Sequence, residues 1–465
     1  MSREPTPITE RPPRVMGGWA AFAVVAGSML GIGIFLAPPI VARHVDSQLA
    51  FLGLWLAGGL TALGGAVACA ELAVMMPRSG GDYVFQSEAF GPSVAFASGW
   101  VLLAAIFAGS IAAVATGMCT YQLPTLLGVD LRTPLVTTDI GWQLQPAQLV
   151  AVVLVLLLTL INTLGLRPSG RLQTLATLIP ICALALAAAF VLGRPGIEPQ
   201  QPGPPADFSG ISLQGLVAAY LPIYFAYSGW NGVIYLAGEV RRPERNLPRA
   251  LLLGTLVVTG LYALMCTGFL QVLGLGGLVG AGEAGSASAE VLGGRPARLA
   301  VTAVVAVALL ATLNGSVLGS ARVAYAMARG GAFWQGAARL HPRNGVPVRA
   351  LWLGGGWACL LILSNRFEQI LDMVSVAMVL SGSLTVASLF VLRARQPAVD
   401  RPWRAWAYPW LPLVYLAANA VVLVVMLGNA FTAEPGAYYP LIGLVILVVT
   451  YLAHRLRRVR RGRRS

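Results

Sequence analysis

Long apolar runs alternating with short polar connectors organise this chain. Bounded by Arg, Pro or Gly, the runs near 17–42, 48–76, 92–122, 147–166, 172–193, 213–238, 248–274, 297–328, 350–364, 370–392, 409–428 and 438–455 predict twelve helices. Most reach the roughly 20 residues that cross the hydrocarbon core of a bilayer. Two of them are interrupted: Gly27-Ser28-Met29-Leu30-Gly31-Ile32-Gly33-Ile34-Phe35 lies in the first run and Phe225-Ala226-Tyr227-Ser228-Gly229-Trp230-Asn231-Gly232 in the sixth. In hydrocarbon every backbone N–H and C=O must be satisfied within the protein, so unwound backbone is tolerated there only where it lines a cavity or meets a ligand. Corresponding breaks in two halves of a membrane chain mark a transport site.

The breaks divide the chain into two five-helix units of opposite orientation, 17–193 and 213–395, with the spans at 409–455 added outside this inverted repeat. Residues 1–16 form a polar, Pro-rich tail and 456–465 a basic one. The apolar run after residue 16 is too long for a signal-peptide core, so a first transmembrane helix is expected there.

Composition agrees with lipid as the solvent: 57% of the residues are hydrophobic and 11% charged, where a soluble domain carries about a quarter charged. A net charge of +14 would suggest nucleic acid if taken alone, but position argues otherwise. All 32 basic residues are arginine, and with the N-terminus inside, 26 fall on inside segments while Arg43, Arg132, Arg194, Arg295, Arg298 and Arg366 remain outside. That split follows the positive-inside rule and predicts a multi-pass protein of the cytoplasmic (inner) membrane with both termini cytoplasmic. A chain without lysine has neither a P-loop ATPase motif nor a pyridoxal Schiff base. ATP-driven transport within this chain is excluded, and no cofactor and no nucleic-acid partner are expected.

Cys69, Cys119, Cys182, Cys266 and Cys359 are widely spaced in apolar runs and read as small buried hydrophobes. His44, His341 and His454 are too scattered to share one metal ion, so no metal site is expected.

The chemistry concentrates at the breaks. Gly31-Ile32-Gly33 lets the backbone leave helical geometry, and N–H groups at the start of the following half-helix form an anion site suited to a carboxylate. The alternative is close packing of small residues. In the sixth span, carbonyls freed at the end of the first half-helix accept hydrogen bonds from an ammonium. Together the breaks suit a zwitterion held by Gly31, Ile32 and Gly33 and by Phe225, Ala226, Tyr227, Ser228, Gly229, Trp230 and Asn231. Phe225 reads as an aromatic gate or as an ordinary packed ring; Trp230 and Asn231 wall the pocket or stitch the break together. No acid or base lies near the middle of a predicted helix, so a pocket without fixed charge and a neutral substrate are expected. Glu71, Asp82 and Glu239, toward the helix ends, are the candidates for gating or coupling.

Further motifs stand in order along the chain: Gly31 to Phe35 with Pro38; Ala70-Glu71-Leu72 and then Pro77-Arg78-Ser79-Gly80-Gly81-Asp82-Tyr83; Phe225 to Asn231; Glu239, Pro243 and Arg245-Asn246-Leu247-Pro248; and Ser320-Ala321-Arg322-Val323-Ala324-Tyr325-Ala326-Met327-Ala328-Arg329. On these the chain, from the first to the tenth span, resembles the amino acid, polyamine and organocation (APC) transporter superfamily, and within it the L-type amino acid transporters and their bacterial homologues. The resemblance implies an all-α integral membrane protein of about twelve helices with the LeuT-type five-plus-five inverted repeat and discontinuous first and sixth helices. It also implies alternating access and a substrate held by backbone at 31–33 and 225–230. Three departures bear on mechanism. Ile32 stands where relatives usually carry Ser, Ala or Thr, and either shrinks the pocket or faces lipid. The stretch 172–180 has none of the lysine that sodium-independent relatives often carry there, which leaves exchange, uniport and ion coupling open. The segment 123–146 has no cysteine, so the disulfide-linked heavy subunit of animal L-type transporters is not expected.

A membrane-embedded enzyme would need clustered acids, histidines or metal ligands, and a channel a continuous pore lining; neither accounts for paired breaks. The expectation is an exchanger or permease for neutral amino acids, with cationic amino acids or polyamines as the alternative.

Overall fold

A computed structural model describes residues 13–138, 142–194, 199, 213–364, 367–430 and 441–462. Most of the N-terminal tail, most of the Pro-rich connector before the sixth span, Arg366 and the end of the basic tail lie outside the described residues.

The first run forms two helices, α1 (Gly18–Met29) and α2 (Gly33–Ala42), and the second a single rod, α3 (Gln48–Met75). A short helix that the apolar pattern does not announce, α4 (Asp82–Phe90), precedes a span built of α5 (Pro92–Val101), α6 (Ala108–Gly117) and α7 (Leu123–Leu127), joined by π-helical turns at Leu102–Phe107 and Met118–Gln122. A two-stranded hairpin (Val136–Thr137 with Gln143–Leu144) leads to α8 (Pro146–Thr163) and α9 (Leu166–Leu192). The sixth run is α10 (Leu213–Tyr227) followed by a 3-10 helix, Gly232–Glu239. Then come α11 (Pro243–Gly280), α12 (Ala284–Arg329), α13 (Val348–Ser364), α14 (Phe367–Arg395), α15 (Trp410–Ala430) and α16 (Leu441–Gly462).

Among the described residues, nine stretches are long and apolar enough to cross a bilayer, and α13 and Leu441–Leu456 are shorter apolar helices. With the broken sixth run these match the predicted segments in order. α11 begins at Pro243 rather than near 248, since proline in the first helical turn sacrifices no hydrogen bond. α12 begins at Ala284 rather than near 297 and bends at Gly293 and Gly294, the glycine pair that hides its first turns from an apolar reading. Leu149, Val153, Leu157 and Leu160 of α8 and Leu175, Ile179 and Leu186 of α9 point outward, the arrangement hydrocarbon permits and water penalises.

α1 is enclosed by α9, α11 and α12, while α10 packs on α2 and α3. Ahead of α1, Met16 bridges to Val240: its N–H donates to Glu239 O at 2.9 Å and its carbonyl accepts from the Arg241 N–H at 2.8 Å. The entry to the first span is thereby tied to the exit of the sixth.

Candidate functional site

Helix α1 stops where the Leu30 N–H bonds Ala26 O at 2.9 Å and the Gly31 N–H bonds Met29 O at 2.7 Å; α2 restarts at Gly33. Unwinding frees carbonyls, and other helices take them up. Thr312 Oγ1 of α12 lies 2.8 Å from Gly27 O and 3.1 Å from Leu30 O. The Tyr262 hydroxyl of α11 lies 2.6 Å from Met29 O and 3.0 Å from Ala226 O, so one buried phenol touches both breaks. In α2 the first backbone N–H bonded within its own turn is that of Phe35, to Ile32 O at 3.1 Å. Those of Gly33 and Ile34 precede it and have no acceptor within the helix.

The sixth break is closed locally. The Ser228 N–H and Oγ both donate to Phe225 O, at 3.0 and 2.6 Å, and the Gly232 N–H donates to Gly229 O at 2.8 Å. Gly229 takes φ +91°, which strains any side chain, and a Cβ there would stand 2.5 Å from Ser28 O. A Cβ on Gly33 would stand 2.7 Å from the Ala226 Cβ. These two glycines set how closely the breaks cross. Gly31 differs, since the nearest atoms to its Cβ would be those of Thr312, at an ordinary 3.5 Å.

Both breaks open on one cavity of about 90 Å³. Gly31, Ile32, Gly33, Phe225, Ala226, Ser228, Gly229, Trp230 and Asn231 line it. Tyr227 does not: its ring turns behind the break between Trp55 and Tyr262, with centroids 6.1 and 5.0 Å away. Ile32 is buried and faces the cavity, not lipid. Trp230 both walls the cavity and stitches the fold, edge-on to Tyr415 at 5.8 Å and seated against Gly65 of α3. The sequence reading missed Ser28, Phe107, Ser110, Thr312, Ser316 and Ser381, all in the lining, and Tyr415, whose hydroxyl lies 2.8 Å from that of Tyr224. The signal for five of them, the four serines and Thr312, was a hydroxyl inside an apolar run. Tyr415 brings α15, expected outside the repeat, into the cavity wall.

Asp82 corrects the expectation of a pocket without fixed charge. Gly80 and Gly81 adopt φ 124° and 52° and turn the chain so that α4 re-enters the bundle, where the Gln86 side-chain amide donates to Ser381 O and Thr385 Oγ1 at 3.0 and 2.8 Å. Asp82 is therefore buried at the cavity. Its Oδ2 accepts from the Tyr235 hydroxyl at 2.7 Å and from Asn231 Nδ2 at 3.3 Å. Burial pushes the carboxyl up to about 6, against these hydrogen bonds, which favour the ionised form.

Glu71 and Glu239 stand apart from the cavity, in ion pairs. Glu239 lies 2.5 Å from Arg322, both fully buried, joining the 3-10 segment to α12. Glu71 of α3 accepts from Arg393 at 2.6 and 3.0 Å and from the Ala405 N–H at 2.7 Å, with Arg401 at 3.0 Å. Where α9 lacks a lysine, a neutral network stands instead. Thr177 Oγ1 and Gln173 Nε2 donate to Ala23 O at 3.1 and 3.3 Å, and Asn314 Nδ2 donates to Gln173 Oε1 at 2.9 Å. Among the described residues no group of His, Cys, Asp and Glu is placed to hold a metal ion.

An all-helical membrane bundle in which two interrupted spans meet at one buried cavity is the architecture of a transporter. The chain belongs to the amino acid permease family, whose sequence profile matches residues 16–450. It is similar to the serine/threonine exchanger SteT of Bacillus subtilis, 28% identical over 87% of this chain and 89% of that protein. It is also similar to the Asc-type amino acid transporter 1 of Mus musculus, 29% identical over 90% and 76% of the two chains. The large neutral amino acids transporter small subunit 2 of Homo sapiens is 28% identical over 87% and 74%.

Proposed function

We propose that this protein is a secondary transporter that moves neutral amino acids across the cytoplasmic membrane by alternating access, as an exchanger or permease. One observation carries the reading: the start of α2 and the end of α10 meet in a single cavity. The N–H groups of Gly33 and Ile34 receive the substrate carboxylate, and carbonyls at the end of α10 receive its ammonium. Relatives named for serine, threonine and other neutral amino acids support that class. The volume, about 90 Å³, is below the roughly 150 Å³ that encloses a benzene and favours small side chains. In this reading 17–193 and 213–395 are the inverted units, both termini are cytoplasmic, and no disulfide-linked heavy subunit is needed. The Met16–Val240 bridge and the Glu239–Arg322 and Glu71 ion pairs then hold the cytoplasmic end shut.

Asp82 favours a second reading. A buried carboxyl beside the cavity suits a cationic amino acid, or a proton that travels with the substrate. Uptake of labelled serine, threonine, leucine, arginine and glutamate into proteoliposomes separates the two. Accumulation of the neutral compounds that needs only internal amino acid supports exchange of neutral substrates. Arginine uptake, or dependence on an imposed proton gradient, supports the second reading, and failure to carry any neutral amino acid overturns the first.

A further inference from the structure

Away from the central cavity lies a larger one, of about 340 Å³, that the transport reading leaves unused. It sits between the end of α9, the second half of α11 and the first turns of α12, with Phe35 of α2 in its wall. Leu184, Met265, Phe269 and Val301 make it apolar, and two features break that character. Arg194, just past α9, is at the rim, exposed, its guanidinium 4.2 Å from the Phe190 ring centroid. Ser288 is 7% exposed, lines the cavity, and among the described residues its hydroxyl has no hydrogen-bond partner. Ala187 and Phe190, also in the lining, are exposed on the surface α9 turns to lipid, so the cavity is reached from the bilayer.

A buried hydroxyl in an apolar enclosure costs free energy until it finds a partner. An arginine beside a hydrocarbon-lined slot attracts an anionic headgroup. The volume is more than twice the roughly 150 Å³ that holds a benzene. A single water would satisfy Ser288 and leave the apolar walls unfilled.

We propose that this cavity binds one acyl chain of an anionic phospholipid, with the phosphate against Arg194 and an ester carbonyl accepting from the Ser288 hydroxyl. The site also touches the transport machinery. A Cβ on Gly285 would stand 2.9 Å from the Phe35 ring, and Phe35 belongs to the half-helix that starts at the first break. A chain in the slot therefore braces α2 against α9 and α12, and lipid occupancy sets how readily α2 moves.

The full chain, purified in neutral detergent and offered equal phosphatidylglycerol and phosphatidylcholine, tests this by native mass spectrometry. The unmodified protein is expected to retain one phosphatidylglycerol, about fivefold in preference, the effect of one surface cation. Arg194→Gln removes the preference, and Ala289→Phe, which fills the slot, removes retention of both lipids. Ala188→Leu fills it from α9 if Ala289→Phe fails to fold, and the exposed Arg194 carries the headgroup test by itself. Equal retention of the two lipids by the unmodified protein, or unchanged retention in the variants, overturns the site. The readout involves no amino acid, so it stands or falls apart from the transport reading.

Discussion

The two interruptions share a cavity but are built in opposite ways. The sixth is made by its own residues: Gly229 at φ +91° turns the chain, and the Ser228 N–H and hydroxyl close Phe225 O. The first has no left-handed residue between Met29 and Gly33, and its freed carbonyls are held from outside, by Thr312 on α12 and Tyr262 on α11. The shape of the sixth break is thus written locally, while that of the first is imposed by its neighbours. A shift of α12 reaches the first break directly through Thr312, while the bonds that close the sixth lie within its own turn, which makes the first the natural moving part.

The largest effect is expected where local geometry leaves no choice. Gly229→Ala forces a side chain into the left-handed region at roughly 1–2 kcal/mol and presses its methyl on Ser28 O, which adds about 1–3 kcal/mol. Proteoliposome uptake should fall on the order of a hundredfold with membrane insertion intact. Near-normal uptake would break the view that the sixth turn is locally dictated. Tyr262→Phe comes next, since it strips a partner from Met29 O and Ala226 O together. Met29 O keeps the Gly31 N–H, so the cost is that of the lost hydrogen bonds, about 0.5–1.5 kcal/mol each, and a loss of roughly tenfold is expected.

A paired measurement sharpens the contrast. Thr312→Val removes the one side-chain donor that Gly27 O and Leu30 O have among the described residues, whereas Ser228→Ala leaves Phe225 O its backbone partner, the Ser228 N–H. The first variant should lose several-fold more uptake than the second, by about 1 kcal/mol of difference. Equal losses would mean that the first break is no more dependent on its neighbours than the sixth.

The same contrast explains how much of the site could be read from sequence. Glycines and polar residues inside apolar runs mark both breaks, and the run lengths give the helices, because lipid leaves few alternatives to an intact span. The supports of the first break were not legible: Thr312 and Tyr262 lie nearly 300 and more than 200 positions beyond the carbonyls they hold, at separations of 282–285 and 233 residues. From sequence Asp82 is a gating or coupling candidate toward a helix end and not a wall of the pocket, because only the fold shows that Gly80 and Gly81 turn α4 inward. Tyr415 was set aside with the added helices for the same reason, its contact with Tyr224 spanning 191 residues.

Asp82 offers a pH test at the floor of the cavity. Burial raises its carboxyl to about 6, so the neutral acid is the form the fold prefers, and stability declines as pH rises through 6. Below 6 the larger desolvation cost of the buried carboxylate is relieved, so the fold as a whole gains stability. The hydrogen bonds from Tyr235 and Asn231 lose their charged acceptor there, and the contact between α4 and the 3-10 segment alone weakens. Exchange should rise about fivefold as pH falls through 6 and be flat in Asp82→Asn. An identical profile in that variant would move the titration elsewhere.

The smallest effect is expected at Gly31, and it is the most discriminating for the comparison. Although Gly31 belongs to the motif that marks the first break, nothing in its surroundings demands glycine: its φ is unexceptional and an added methyl would meet Thr312 at 3.5 Å. Gly31→Ala should therefore keep uptake of small substrates within about twofold, the scale of an unstrained substitution. Because Gly31 and Ile32 share the cavity wall, the methyl should raise KM for leucine before that for serine. A loss as deep as that at Gly229 would mean that the first break is dictated by its own backbone after all, and the distinction between an imposed and a local interruption would fall with it.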